Sequence, residues 1–110
     1  MKQYVIDELR HNDYEKIKTY LGENLEPSDI YGIYWLPIDN NFLAKEQAAH
    51  INCQPFFFII SLEEKLISIE LLVRTRNRVS CNCIDYATEK QRNWLIGYID
   101  DMLNRLEVSV

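Results

Sequence analysis

The sequence predicts an α+β fold, in which an antiparallel sheet carries three helices that lie mainly on one of its faces. Apolar residues alternate with polar ones along successive stretches between 56 and 84, as in strands buried on one side. Elsewhere, at 12–22 and 89–106, apolar residues repeat at helical spacing behind a capping residue. The resulting order of elements is strand, helix, strand, helix, three strands, helix.

A meander of three strands, at about residues 56–84, forms the centre of the predicted sheet. Successive side chains of a strand point to opposite faces, so every second residue shares a face. A turn at Glu64–Lys65 places Ile60 opposite Ile69. The same register pairs Phe58 with Leu71. The face that we expect to be buried carries Phe56, Phe58, Ile60, Leu62, Ile67, Ile69, Leu71 and Val73.

The third strand of the meander carries two cysteines. Since one strand through the rest of this stretch is too long, a second turn follows the second strand. If Thr75 pairs with Val79, Cys81 faces Val73. Cys83 then follows Cys81 on the same side of the strand. This register places both cysteines towards the core.

The other elements are predicted from caps, proline positions and periodicity. Thr88 and Gln91 form a capping box that opens the last helix, at about 89–106. Its central stripe is Leu95, Ile99, Met102 and Leu106, which Trp94, Tyr98 and Leu103 widen. In the N-terminal half we expect a strand at 2–7 and then a helix that Asn12 caps, with Glu15 at the capping-box position, and that ends at about Gly22. A turn at 26–29 and a strand at 31–36 follow. A second helix begins at the candidate caps Asp39–Asn41 and ends at Ile51.

Composition limits the function classes. A chain of 110 residues with 47% hydrophobic residues is long enough to form one domain, 1–110, with its own core. The formal net charge of −5 argues against a general nucleic-acid surface or an anionic membrane as partner. No apolar run reaches a membrane span, the N-terminus lacks a signal-peptide pattern, and the odd count of three cysteines fits a reducing compartment. We therefore expect a cytoplasmic protein.

Four residues on two segments could hold a zinc ion. His50-x-x-Cys53 and Cys81-x-Cys83 together supply two imidazole or thiolate ligands from each segment, as a tetrahedral structural site requires. The alternative is that the cysteines are small core residues and that His50 ends a helix. We favour this alternative and expect no metal or other cofactor.

Three arginines, Arg74, Arg76 and Arg78, concentrate positive charge in an otherwise acidic chain. Guanidinium groups bind phosphates and carboxylates, so this turn is a candidate ligand-binding segment. The alternative is a solvated turn that keeps a sheet edge from pairing. No serine or cysteine stands at a spacing typical of a nucleophile, and we expect no catalytic residue.

Three segments resemble the N-terminal two-thirds of a GNAT-type acetyltransferase: YVIDELRHNDYEKIKTYL, FFFIISLEEKLISIELLV and CIDYATEKQRNWLIGYIDDMLNRL. The resemblance implies a related topology and an acyl-CoA site in which a Q/R-x-x-G-x-G/A loop cradles the pyrophosphate. The aligned segment here is Arg92–Gly97, so Arg92 becomes a candidate ligand-binding residue. Leu95 stands where the family has its first glycine, and its side chain obstructs a close approach of phosphate.

The apolar residues left over from the core indicate a partner surface. Phe57, Ile59 and Leu72 fall on the second face of the sheet, and Trp94 and Tyr98 on the last helix are alternatives. We therefore expect a non-enzymatic interaction or ligand-binding module that self-associates as a homodimer, with an unknown protein or small molecule as further partner. The alternatives are a GNAT-like acyl-CoA-binding domain and a small zinc-stabilised domain.

Overall fold

A computed structural model describes residues 2–76 and 84–109 and has the predicted α+β architecture. Within these ranges, seven strands form one antiparallel sheet of order β1-β5-β4-β3-β2, in which β6 pairs with both β4 and β7. The elements are β1 (Gln3–Ile6), α1 (His11–Asn24), β2 (Glu26–Pro27), β3 (Ile33–Pro37), α2 (Lys45–Ala49), β4 (Phe56–Leu62), β5 (Ile67–Glu70), β6 (Leu72–Thr75), β7 (Asp85–Tyr86) and α3 (Glu89–Arg105).

The hairpin of the meander follows the predicted register only at its turn end. Ile60 pairs with Ile69 as predicted. Further along, Phe57 pairs with Arg74. Between these two pairs β4 covers three residues, from 60 to 57, whereas the chain opposite covers five, from 69 in β5 to 74 in β6. The predicted pairing of Phe58 with Leu71 was therefore wrong. The extra residues bulge at Leu71, where the strand changes its outer neighbour: the Leu71 N–H donates to Lys2 and its C=O accepts from Ala87.

The register of the third strand was also wrong. Val73 pairs with Asp85 rather than with Cys81, an offset of four residues. The strand that pairs with β6 thus lies four residues later in the chain than we predicted, because the Ala87 N–H bonds to the Leu71 C=O and fixes the pairing next to the start of α3. Val79, Cys81 and Cys83 lie outside the described residues.

The first helix begins earlier than predicted. Its N-cap is Arg10, whose backbone N–H donates to the Asp13 carboxylate at 3.4 Å. Asn12 is therefore inside the first turn, and the predicted Asn12 cap was wrong because Asp13 supplies an acceptor at the third helical position. At the other end the helix continues to Asn24, two residues beyond Gly22.

The turn that we predicted at 26–29 and the start of β3 that we predicted at residue 31 both lie further along the chain. Glu26–Pro27 pairs with Trp35 and Tyr34 as the edge strand β2. The turn lies after it, where the Ile33 N–H donates to the Ile30 C=O. Gly32 in this turn has φ +83°, and a Cβ there would lie 2.8 Å from the Leu62 carbonyl oxygen, so only glycine fits.

The second predicted helix is divided. Asp39 does cap a helical segment, accepting from the Asn41 N–H at 2.9 Å, but this segment is a single 3₁₀ turn at Asn40–Phe42. Leu43 is extended, and the chain then forms α2 and a second 3₁₀ turn at Ile51–Cys53. The break follows from Gln47, whose side chain accepts from the Ala44 N–H and starts a new helix.

The core lies between the helices and one face of the sheet. Its helical members include Leu95, Ile99 and Met102, the stripe predicted for α3, whereas Leu106 is only half-buried. The strands contribute the predicted alternate residues except Leu71, which is only half-buried at the bulge. The buried cluster consists of Leu9, Ile17, Leu21, Tyr34, Leu36, Ile38, Cys53, Phe56, Phe58, Ile60, Leu62, Ile67, Ile69, Val73, Leu95, Ile99, Met102, Leu103 and Val108.

Two buried glutamines join α2 to α3. The capping box of α3 is formed as predicted: the Thr88 hydroxyl accepts from the Gln91 N–H, and the Gln91 Oε1 accepts from the Thr88 N–H. Gln91 is fully buried, and its Nε2 donates to the Gln47 Oε1 at 2.8 Å. That oxygen also accepts from the Ala44 N–H. The N-termini of the two helices therefore share one hydrogen-bonded unit.

We expect Gln91→Met to lower the free energy of unfolding by about 2–3 kcal/mol, since it removes the cap acceptor of α3 and one of the two donors to the buried Gln47 oxygen. Gln91→Glu keeps the acceptor, but burial raises the pKa of the new carboxyl. Its defect should shrink as the pH falls, because the protonated form can donate. Urea denaturation at several pH values measures both effects. Asn93→Met, at an exposed position of the same helix, is the control, and a Gln91→Met variant as stable as that control would contradict the expectation.

Candidate functional site

The second face of the sheet, which we call the outer face, is the candidate site. It is formed by the strand residues that alternate with the core residues, and none of its members belongs to the core cluster. Helices α1 and α3 place their buried apolar side chains in that cluster, on the opposite face. The outer face carries Glu26, Ile33, Trp35, Phe57, Ile59, Glu70, Leu72, Arg74, Arg76 and Tyr86.

An aromatic–arginine stack occupies one end of this face. The Trp35 and Phe57 rings meet edge to face with centroids 5.4 Å apart. The Arg76 guanidinium carbon lies 4.9 Å from the Trp35 centroid and 5.8 Å from that of Phe57, within the range of cation–π attraction. Phe57 is only 7% exposed as a result. Trp35 and Arg76, both on the outer face, thus contribute to the burial of this ring.

Ion pairs hold the arginines of this face. The Arg76 Nη1 lies 2.5 Å from the Glu26 Oε2, which ties the end of β6 to the edge strand β2. Arg74 donates from Nε and Nη2 to the Glu70 carboxylate at 3.1 and 3.2 Å. Both described members of the predicted basic turn therefore already have a carboxylate partner, and Arg78 lies outside the described residues. Anion binding by this turn stays a prediction.

A groove of about 380 Å³ runs beside the stack, between Arg76 and the connection from β2 to β3. Its floor consists of half-buried apolar side chains, and Ile30 at its rim is 69% exposed. The residues that line it are Glu26, Pro27, Ser28, Asp29, Ile30, Ile33, Trp35, Ile59 and Arg76. The groove can accept an apolar group, with carboxylates and one guanidinium at its border.

The structure brings some predicted interface residues together and separates others. Phe57, Ile59 and Leu72 lie on the outer face, with Leu72 beside Tyr86 of β7. Trp94 instead lies on the helical side, where it stacks on Phe58 at 6.3 Å.

Tyr98 packs beside Trp94, with ring centroids 6.0 Å apart. Phe42 approaches Trp94 at a similar distance, 6.0 Å. The aromatic residues of α3 thus form a second surface that is distinct from the outer face and already packed within the chain.

Sequence reasoning missed Trp35 and Glu26 as members of the outer face. Trp35 could have been found, since it alternates with the core residues Tyr34 and Leu36. Glu26 gave no local signal, because a two-residue strand containing Pro27 is defined only by its pairing with β3.

The predicted zinc ligands are only partly described. Cys53 is buried in the core cluster, and its C=O accepts a hydrogen bond from the Thr75 hydroxyl. His50 is exposed at the end of α2. Within residues 2–76 and 84–109, no group of three His, Cys, Asp or Glu residues is placed to hold a metal ion. Since Cys81 and Cys83 lie outside those ranges, the four-ligand hypothesis stays a prediction.

The segment aligned with the acetyl-CoA loop lies within α3. The Arg92 N–H donates to the Thr88 C=O at 2.8 Å, so this donor is already used in the helix. Leu95 is fully buried, and Gly97 is exposed at a position where a Cβ would meet no atom within 4 Å. Neither residue presents an open backbone loop to a ligand.

Comparisons of the chain with protein-family models, with curated proteins and with solved structures find no match. Within the part of the chain that the structure describes, no helix combines the length and the apolar character needed to cross a membrane. The candidate site is therefore interpreted from its own geometry.

Tyr98 gives a prediction for the packed aromatic surface. Burial, together with the neighbouring Tyr20 phenol, raises the pKa of Tyr98 to about 12. A folded-state pKa above the unfolded value of 10.0 stabilises the protein below pH 10.0, and this stability is lost as the pH rises towards about 12. We expect Tyr98→Phe to reduce the alkaline loss of stability, measured by urea denaturation at about pH 9 and 11.5. Tyr86→Phe, at an exposed phenol, is the control. An unchanged alkaline loss in Tyr98→Phe would contradict the assignment.

Proposed function

We propose that the protein is a non-enzymatic interaction module that forms a homodimer by packing its outer face against the same face of a second copy. The observation that carries the proposal is the half-buried apolar row of Trp35, Ile59 and Leu72, on the face opposite to the one that the described helices cover. A partially exposed apolar sheet face of this kind is typical of a partner surface. We place this module in the cytoplasm, in keeping with its odd count of three cysteines.

The size of the outer face supports a modest, reversible dimer. Five strands spaced by about 4.8 Å and up to seven residues long span roughly 400–500 Å² in projection. Two such faces would bury on the order of 1,000 Å² together, which lies at the lower end of the range for specific interfaces.

Charge also favours contact through the outer face. Its two arginines, Arg74 and Arg76, are matched by Glu70 and Glu26, so these four charges cancel. The chain as a whole carries −5, so the excess negative charge lies elsewhere. Two copies that meet through their outer faces therefore keep their acidic surfaces apart, which lowers the electrostatic cost of association.

The aromatic surface of α3 is a weaker candidate for the dimer contact. Trp94 already packs on Phe58 and Phe42, and Tyr98 is in contact with Tyr20. Less apolar area is therefore left for a partner than on the outer face.

We expect Ile59→Asp and Leu72→Asp each to give a folded monomer, because either change introduces an unpaired charge into the apolar contact. Phe57 and Trp94 are poorer positions for this test, since both are packed within the monomer. Sedimentation velocity over a concentration series measures association, and far-UV circular dichroism verifies the fold.

Ile51→Asp is the matched control, as it places the same charge on a side chain that is 75% exposed outside the sheet. We expect it to remain dimeric. A wild-type chain that is still monomeric at about 100 µM would defeat the proposal, because an interface on the order of 1,000 Å² should associate at that concentration.

A native mass spectrum of untagged protein tests the alternatives, a GNAT-like acyl-CoA-binding domain and a zinc-stabilised domain. We expect the mass of two chains with neither acetyl-CoA nor zinc. The Arg92 N–H is committed to Thr88, which leaves it unable to bind pyrophosphate in the family's manner. One zinc per chain, or acetyl-CoA retained after its addition at about micromolar concentration, would favour the corresponding alternative.

A further inference from the structure

We propose that Tyr86 of each copy in the homodimer fills the groove beside Trp35 of the other copy. The inference rests on the proposed function, because it assumes that two outer faces meet and adds the direction of the twofold axis that relates them. The groove is then a binding site for an aromatic side chain of a second copy. The argument depends on where the sheet places one exposed ring and one groove.

The ring and the groove stand at opposite ends of one row across the outer face. Tyr86 pairs with Leu72, Ile59 with Trp35, and Trp35 with Glu26. The step from Leu72 to Ile59 continues the register of β6 with β4. From β7 to β2 the row is therefore Tyr86, Leu72, Ile59, Trp35 and Glu26. Three strand spacings, about 14 Å, separate Tyr86 from Trp35.

The two ends of the row are complementary in shape. At one end, Tyr86 on β7 is 48% exposed. At the other end lies the groove of about 380 Å³, whose lining includes Ile33, Trp35 and Ile59. Contacts in a twofold dimer occur in pairs, so one ring and one groove per chain can be matched twice when the axis passes between them. A tyrosine that fills a partner's pocket is typical of the anchors of protein interfaces.

Two aligned arrangements of the outer faces are available, because packed sheets keep their strand directions close to one another. An axis across the strands stacks each strand on its own copy, so Tyr86 meets Tyr86 and groove meets groove. An axis along the strands, between β4 and β6, reverses the order of the strands in the second copy. It places β7 of that copy over β3, which carries Trp35. Of the two arrangements, the axis along the strands is the one that fills the groove.

Charge favours the same axis. The Lys2 Nζ lies 5.3 Å from the centroid of the Tyr86 ring, so an ammonium group accompanies this ring. Asp29 borders the groove and forms no ion pair within the described residues. An axis along the strands brings Lys2 of one copy towards Asp29 of the other. An axis across the strands instead brings Lys2 towards Lys2 and Asp29 towards Asp29, which costs electrostatic free energy.

Photo-cross-linking between copies tests where Tyr86 lies. The variant Tyr86→p-benzoylphenylalanine keeps an aromatic ring at this position and forms a covalent bond to a neighbour on irradiation. Mixing ¹⁵N-labelled with unlabelled chains lets peptide mass spectrometry identify cross-links between copies. We expect these links to reach segment 26–35 of the other copy. Ile51→p-benzoylphenylalanine, at a side chain that is 75% exposed outside the sheet, is the control and should give no such link.

Charge reversal tests the axis without changing the ring. Lys2→Glu and Asp29→Lys should each raise the dissociation constant of the dimer roughly fivefold or more, since each change affects two symmetric contacts. The double variant should return it to within about twofold of wild type, because the pair is restored with its signs exchanged. Asp29→Lys also lowers the net negative charge of the chain, so its weaker association would not come from general repulsion. Sedimentation velocity measures the constants.

The outcomes separate this inference from the proposed function. A wild-type chain that is monomeric at about 100 µM defeats both. A stable dimer whose cross-links from position 86 reach position 86 of the other copy, or any segment other than 26–35, overturns the inference alone. So does a double variant that associates no better than the two single variants. If the larger ring itself prevents association, the charge reversals decide.

Discussion

The structure depends on β4, the one strand among the described residues that pairs with three others, namely β3, β5 and β6. Its inward side chains fill the centre of the core: Phe56, Phe58 and Ile60 are fully buried. The helices pack against this row. A polar residue at any of these positions would remove burial from the sheet and from α3 at once, because the same side chains serve both layers.

The inward side chains of β4 are more fully buried than its outward side chains. The candidate site is the less buried, outward face. Helices α1 and α3 pack against the inward row, whereas on the outward row Trp35 and Arg76 close over Phe57. That local cover depends on Glu26, which holds the guanidinium from the edge strand β2. Ile59 and Leu72 remain half-buried on the same face, so part of its apolar surface is still open to solvent.

The sequence predicted those features of the fold that local chemistry determines. Alternation along β4 identified the core row, and the Thr88–Gln91 capping box identified the start of α3, since each signal comes from residues close in the chain. Phe57, Ile59 and Leu72 were assigned to the outer face for the same reason. The bulge at Leu71, the strand β2 and the link from Gln91 to Gln47 escaped prediction, because each depends on a partner that is remote in the chain.

One short connection joins the groove of the outer face to helix α1. Ser28, Asp29 and Ile30 line the groove of the outer face, and the next residue, Tyr31, contacts Lys18 of α1 on the other side. Gly32 then fixes the turn against the Leu62 carbonyl, where no side chain fits. The backbone therefore has little freedom at the point where it passes from the groove to α1. The rim of the groove therefore rests on a turn whose backbone is set by Gly32 and by the pairing of β3 with β4.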